Sequence, residues 1–139
     1  MKIIYVPKEK ASLIWDDIKD EIQRALDHSQ GEEEIQDVKI KIENGIYGLL
    51  VIFIDRKLCG VVTVQFVDYP QIMALRVVTI SGHDYFTWQK PLHEYLEKWA
   101  REQGMNRIEA MVRKGQIRAL APLGYKPAYT FMTKDIDYG

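Results

Sequence analysis

A chain of 139 residues, 47% of them apolar, is long enough to build one hydrophobic core, and its net charge of -1 supplies no basic field to draw nucleic acid or an anionic membrane. The single cysteine, Cys59, excludes an internal disulfide and, within an alternating apolar run, reads as core filler in a reducing compartment. No apolar run approaches transmembrane length, and Ile3-Ile4-Tyr5-Val6 before Pro7 is too short for a signal-peptide core, so a soluble cytoplasmic protein is expected.

Ile3 to Val6, closed by Pro7, suits a first strand near a sheet edge. From Ser12 the period changes: Ile14, Ile18, Ile22, Ala25 and Leu26 share one helical face and the acids and bases between them take the other. Ser12 is the expected N-cap and His28-Ser29-Gln30-Gly31 the stop, with Trp15 and His28 as packing or helix-end side chains. Glu32-Glu33-Glu34 opens a second helix through Ile35, Val38 and Ile42, its acids favouring the dipole as a solvated start, and Asn44-Gly45 ends it.

Tyr47 to Ile54 and Leu58 to Val67 are β-rich runs joined by Asp55-Arg56-Lys57, too short for a crossover, so they form an antiparallel hairpin. Asp68-Tyr69-Pro70 turns the chain into a third strand, Met73 to Ile80, completing a meander. A helix from Gln89 to Gln103 follows, with Leu92, Tyr95, Leu96, Trp99 and Ala100 as its core face and Gly104 as its cap. Arg107 to Val112 is then a strand parallel to the one before the helix. A short helix, Gln116 to Leu123, and a last strand, Tyr129 to Thr133, close the chain, with no repeat or linker to mark a domain boundary.

This order, β, α, α, three-strand meander, long helix, β, short helix, β, resembles the GNAT N-acetyltransferase superfamily. Leu96-Glu97-Lys98-Trp99-Ala100-Arg101-Glu102-Gln103-Gly104 looks like that family's long helix and its stop, and Leu123-Gly124-Tyr125-Lys126 like its leucine, glycine, aromatic signature. The pattern Asp68-Tyr69-Pro70, Gly82, Trp88, Arg113-Lys114-Gly115 and Gly124-Tyr125 is similar to small GNAT-like proteins of tailed bacteriophages. The resemblance, from about Ile3 to Ile136, implies one α/β (α+β) domain. Its mixed sheet would join an antiparallel meander to a parallel strand pair splayed at the centre, with helices on both faces.

It also implies where acetyl-CoA would sit. In active members a basic residue and two small ones, in the turn before the long helix, present backbone N–H groups to the pyrophosphate. Here those positions fall at Asp84, Thr87 and Gln89, an acid and two larger side chains, with Phe86 and Trp88 adding bulk. The family's cofactor-contacting Asn falls near Arg113, and its proton-donating Tyr at Leu120, which has no proton to give. Ile80 and Gly82 at the strand end would be the remaining cofactor contacts. Arg113, Lys114 and Arg118 gather at the start of the short helix, with Arg76 near the same splay, as an alternative anion site.

Asp68, Asp84 and Glu109 are candidate bases, read first as turn or surface carboxylates because their spacing shows no pairing. His83 beside Asp84 suggests acid/base chemistry, but no Ser or Cys stands at a nucleophile elbow. His28, His83 and His93 lack metal-ligand spacing, so no metal is expected. The expectation is a GNAT-fold protein without a cofactor that binds a protein partner or a small ligand, in the host cytoplasm if virally encoded. Nucleic acid and membrane are not expected partners. Self-association through the edge Tyr129 to Met132 is expected. The alternative is an N-acyltransferase that holds acetyl-CoA through the Arg113 to Arg118 cluster.

Overall fold

The computed structural model describes residues 1–139. Five strands, β1 (Lys2–Val6), β2 (Gly48–Ile54), β3 (Lys57–Asp68), β4 (Met73–Gly82) and β5 (Arg107–Ala110), lie side by side in chain order. The pairs β1–β2, β2–β3 and β3–β4 are antiparallel, and β4–β5 is parallel, as the helical crossover requires. Helices α1 (Ala11–Leu26) and α2 (Ile35–Glu43) precede β2, α3 (Tyr85–Glu102) links β4 to β5, and a single turn, α4 (Ile117–Leu120), follows β5 between two 3-10 turns.

Alternation along the strands builds two cores. Leu49 and Val51 of β2 face Ile18, Ile22, Val38 and Ile42 of α1 and α2, while Leu50 and Ile52 face Trp88, Leu92 and Leu96 of α3. Strand β2 is therefore buried on both faces, which is why Gly48–Ile54 reads as an unbroken apolar run. The hairpin turn is tighter than the three residues expected: Ile54 pairs with Lys57, and Asp55 and Arg56 both take positive φ (51° and 66°), the two-residue geometry that matches strand twist.

Several elements differ from expectation. No side chain caps α1, and Ser12 lies inside its first turn. Glu34 caps α2 in a reciprocal box with Asp37, whereas Glu33 is not solvated: it binds Lys41 Nζ and accepts from the Tyr47 hydroxyl, each at 2.8 Å. Helix α3 begins four residues before the expected Gln89, since Trp88 belongs to its apolar face. The short helix is one α turn instead of Gln116 to Leu123. Tyr129 to Thr133 is not a strand; it runs exposed and pairs with nothing.

Candidate functional site: the β4–β5 cleft

Strands β4 and β5 are paired only from Ala74–Arg107 to Val77–Ala110. Beyond that rung β4 continues to Gly82 on β3 alone, and the chain after Ala110 leaves the sheet. The parting coincides with a β-bulge. Thr63 pairs with Thr79 and Val64 with Val77, so Val78 is an extra residue. A bulge adds twist and takes its residue out of the regular ladder, so the two strands part where the pairing of β4 is itself irregular. Thr63 and Thr79 lock the rung above it through their hydroxyls at 2.6 Å.

The turn at the head of α3 is held rigidly. The His83 N–H donates to the Cys59 carbonyl at 2.7 Å, and Gly82 lies so close to that carbonyl that a β-carbon there would collide with it. Cys59 is itself an extra residue, in the β2–β3 pairing. The Trp88 indole donates to the His83 carbonyl at 2.7 Å and packs on Gly60, where a β-carbon would come within 2.7 Å of the ring. Asp84 then enters α3 in the left-handed region (φ 56°, ψ 39°), exposed, with its carbonyl accepting the Thr87 N–H.

Of the bulky residues Phe86, Trp88 and Gln89 expected to crowd this turn, only one faces outward. Trp88 and Gln89 point into the protein, whereas Phe86 is 87% exposed at the helix head beside Asp84. Trp88 therefore fills the space between α3 and β3, and Phe86 projects into solvent.

His83 is also exposed, its Nε2 3.3 Å from Glu21 Oε1, while the Ser81 hydroxyl donates to Glu21 Oε2 at 2.8 Å. Serine and histidine thus both point at one carboxylate, which also binds Arg24. A nucleophile must instead touch its base, so the trio ties α1 to the end of β4 and does not form a triad.

Of the other candidates, Ile80 is half-buried against the α3 core and Gly82 closes β4. Asp68 is exposed at the end of β3. Arg113, Lys114 and Arg118 are exposed around the single turn α4, with Arg113 Nη1 3.4 Å from His28 Nδ1. Leu120 occupies the end of that turn. So short a helix adds almost no dipole of its own to a basic cluster.

Arg76 does not join that cluster. It lies opposite Glu109 on the paired rungs, with Nε and Nη2 at 2.9 and 2.8 Å from Glu109 Oε1. The Tyr69 hydroxyl donates to the same oxygen at 2.8 Å, and Arg107 binds Oε2 at 3.0 Å. Glu109 is accordingly not a lone surface carboxylate. Burial pushes its pKa up, but the bonds from Tyr69, Arg76 and Arg107 outweigh that and hold it below the usual carboxylate range. A base so fully engaged has little proton affinity left.

A second polar pair was not foreseen from sequence. His93, 5% exposed on α3, places Nδ1 2.7 Å from the Tyr125 hydroxyl, and its Nε2 is buried with no partner. Burial lowers the His93 pKa and raises that of Tyr125, so both are neutral near pH 7. One turn earlier, Gln89 Nε2 donates to the Ala119 carbonyl at 3.3 Å. The Gln89 and His93 stripe is what fastens the segment after β5 to α3. Its signal is the four-residue spacing of two polar residues beside an apolar face.

No family model matches the sequence, and no curated protein resembles it at the sequence level. Solved structures do match over nearly the whole chain. A "probable acetyltransferase" superposes with a TM-score of 0.73 at 10% identity, covering 100% of this chain and 99% of that one. The ribosomal-protein-alanine N-acetyltransferase from Brucella melitensis biovar Abortus 2308 gives 0.68 at 13% identity, covering 98% and 100%. A "predicted acetyltransferase with acetyl-CoA" from Clostridium acetobutylicum gives 0.71 at 10% identity, covering 96% and 95%. The chain therefore has the fold of the GNAT acetyltransferases, with the mixed sheet and the parallel pair that the sequence led us to expect.

Proposed function

We propose that this chain is a GNAT-fold binding or assembly module whose α3 head does not hold the pyrophosphate of acetyl-CoA. The observation that carries the reading is Asp84: its carboxylate stands at the N-terminus of α3, where a phosphate would need the first free N–H groups. An anion brought there meets a like charge and the exposed Phe86 ring. The rigid Gly82–His83 anchorage on Cys59 leaves the turn no slack to withdraw them. On this reading the partner is a protein or a small ligand, and the likeness to phage-encoded proteins would place it in a host cytoplasm.

The second reading, an N-acyltransferase moving an acetyl group from acetyl-CoA to an amine, is favoured by the bulge at Val78. It lies at the parting of β4 and β5, where a freed backbone N–H could polarise a thioester carbonyl. The basic side chains of Arg113, Lys114 and Arg118 would then have to meet the phosphates.

Calorimetric titration with acetyl-CoA and with CoA separates the two. The module reading expects no heat at millimolar ligand. Micromolar binding that disappears in Arg113→Ala would overturn it in favour of the transferase.

A further inference from the structure

Sheet order leaves β5 as an edge: Arg107–Ala110 pairs with β4 on one side and with nothing on the other. An unpaired row of N–H and C=O groups on a strand is a template for another strand. The same chain carries an unpaired segment of strand composition, Tyr129–Thr133, in which Tyr129, Phe131 and Met132 are 92%, 71% and 85% exposed. Eight of the seventeen large apolar side chains exposed in this protein lie after Ala110, so its unburied apolar surface is enriched in this segment of the chain.

We propose that Tyr129–Thr133 forms an exchanged arm, which adds as a strand to the β5 edge of a second copy of this chain while that copy's arm does the same in return. The hinge favours exchange over closure on the chain's own edge. Tyr125 is held on α3 by His93, only Lys126-Pro127-Ala128 separates it from the arm, and Pro127 has a fixed φ. A short proline hinge resists a tight reversal and invites swapping. From Lys126 to Tyr138 no backbone N–H is bonded to the body, so the arm's polar groups are open to a partner strand. In a two-fold pair the two arms and the two β5 edges match in number, so the exchange closes on itself. This contact is independent of whether the cleft binds a thioester.

The test is light-scattering mass across a dilution series, joined to amide hydrogen exchange. The expected result is a species of twice the 16.2 kDa chain mass. The amides of Tyr129–Thr133 should be protected in that species and lose protection as it dissociates. Phe131→Asp should give a folded monomer, its circular dichroism unchanged, with the arm unprotected. Three results would overturn the proposal. One is a monomer at every concentration with protected arm amides, meaning closure on its own edge. Another is a monomer with a bare arm, and the third is a dimer that Phe131→Asp leaves intact.

Discussion

His93 Nδ1 lies 2.7 Å from the Tyr125 hydroxyl, and the opposite ring nitrogen is buried without a partner. The pair bridges α3 to the segment beyond α4, and its protonation state is coupled to folding. Burial depresses the native His93 pKa below its unfolded value of about 6.5. Between those two values the unfolded chain binds a proton that the native one refuses, so stability increases with pH across that window. The contribution is complete above about pH 6.5 and falls on acidification by up to about 1.4 kcal/mol per pH unit. Urea unfolding at pH 7.5 and 5.5 should show this loss, and His93→Gln should reduce it. An equal pH dependence in the variant would remove His93 as its source.

Glu109 accepts from Tyr69, Arg76 and Arg107 together, so Glu109→Gln should cost about 1–3 kcal/mol by leaving two guanidinium groups without their charge partner. The sign with pH is set by its lowered pKa. The ion-pair contribution is present above the unfolded carboxylate value, about 4.3, and is lost as pH falls toward the lower native value. Wild type and variant should therefore converge in stability on acidification below pH 4. A gap that stays constant would show that packing, and not charge, is responsible.

The contrast between these two clusters and the rest of the molecule shows which features a sequence can display. Strands and helices whose apolar period repeats over several turns, such as Ile18, Ile22 and Leu26 on α1, emerge from local pattern alone. The fold's central feature, the parallel β4–β5 pair, follows from crossover length. The Arg76–Glu109 contact needed the parallel register, which no local pattern encodes; one residue of slip would have put the two on opposite faces. Trp88 was misplaced because its partner, the missing side chain of Gly60, lies 28 residues away in sequence. The arm failed as a strand for a related reason: its composition is right, but a strand forms only where an edge receives it.

Tyr47 offers a test of the loop before α2. Its hydroxyl, on a residue only 6% exposed, donates to Glu33 at 2.8 Å, and Lys41 Nζ, itself bound to Glu33, sits 5.0 Å from the ring centroid. Tyr47→Phe keeps the packing and removes the donor, so it should cost about 1 kcal/mol in urea unfolding. Glu33→Ala made in the same background should then cost less than it does in wild type. Strict additivity in that double-mutant cycle would mean that the hydroxyl and carboxylate are not coupled.

Gly60 and Trp88 set the position of the whole α3 head. A β-carbon on residue 60 would come within 2.7 Å of the indole, and the ring cannot withdraw without breaking its 2.7 Å bond to the His83 carbonyl. Gly60→Ala should therefore destabilise by about 1–3 kcal/mol through overpacking, although alanine is the better residue for a strand by local preference. Trp88→Phe removes the indole bond and part of the ring, and it should relieve the clash. The double variant Gly60→Ala/Trp88→Phe is then expected to be more stable than the sum of the two single losses predicts. Urea unfolding of the four proteins measures that coupling. If Gly60→Ala unfolds at the wild-type midpoint, then the α3 head moves freely over β3, and the rigid turn that fixes Asp84 and Phe86 at the start of α3 is lost as an explanation with it.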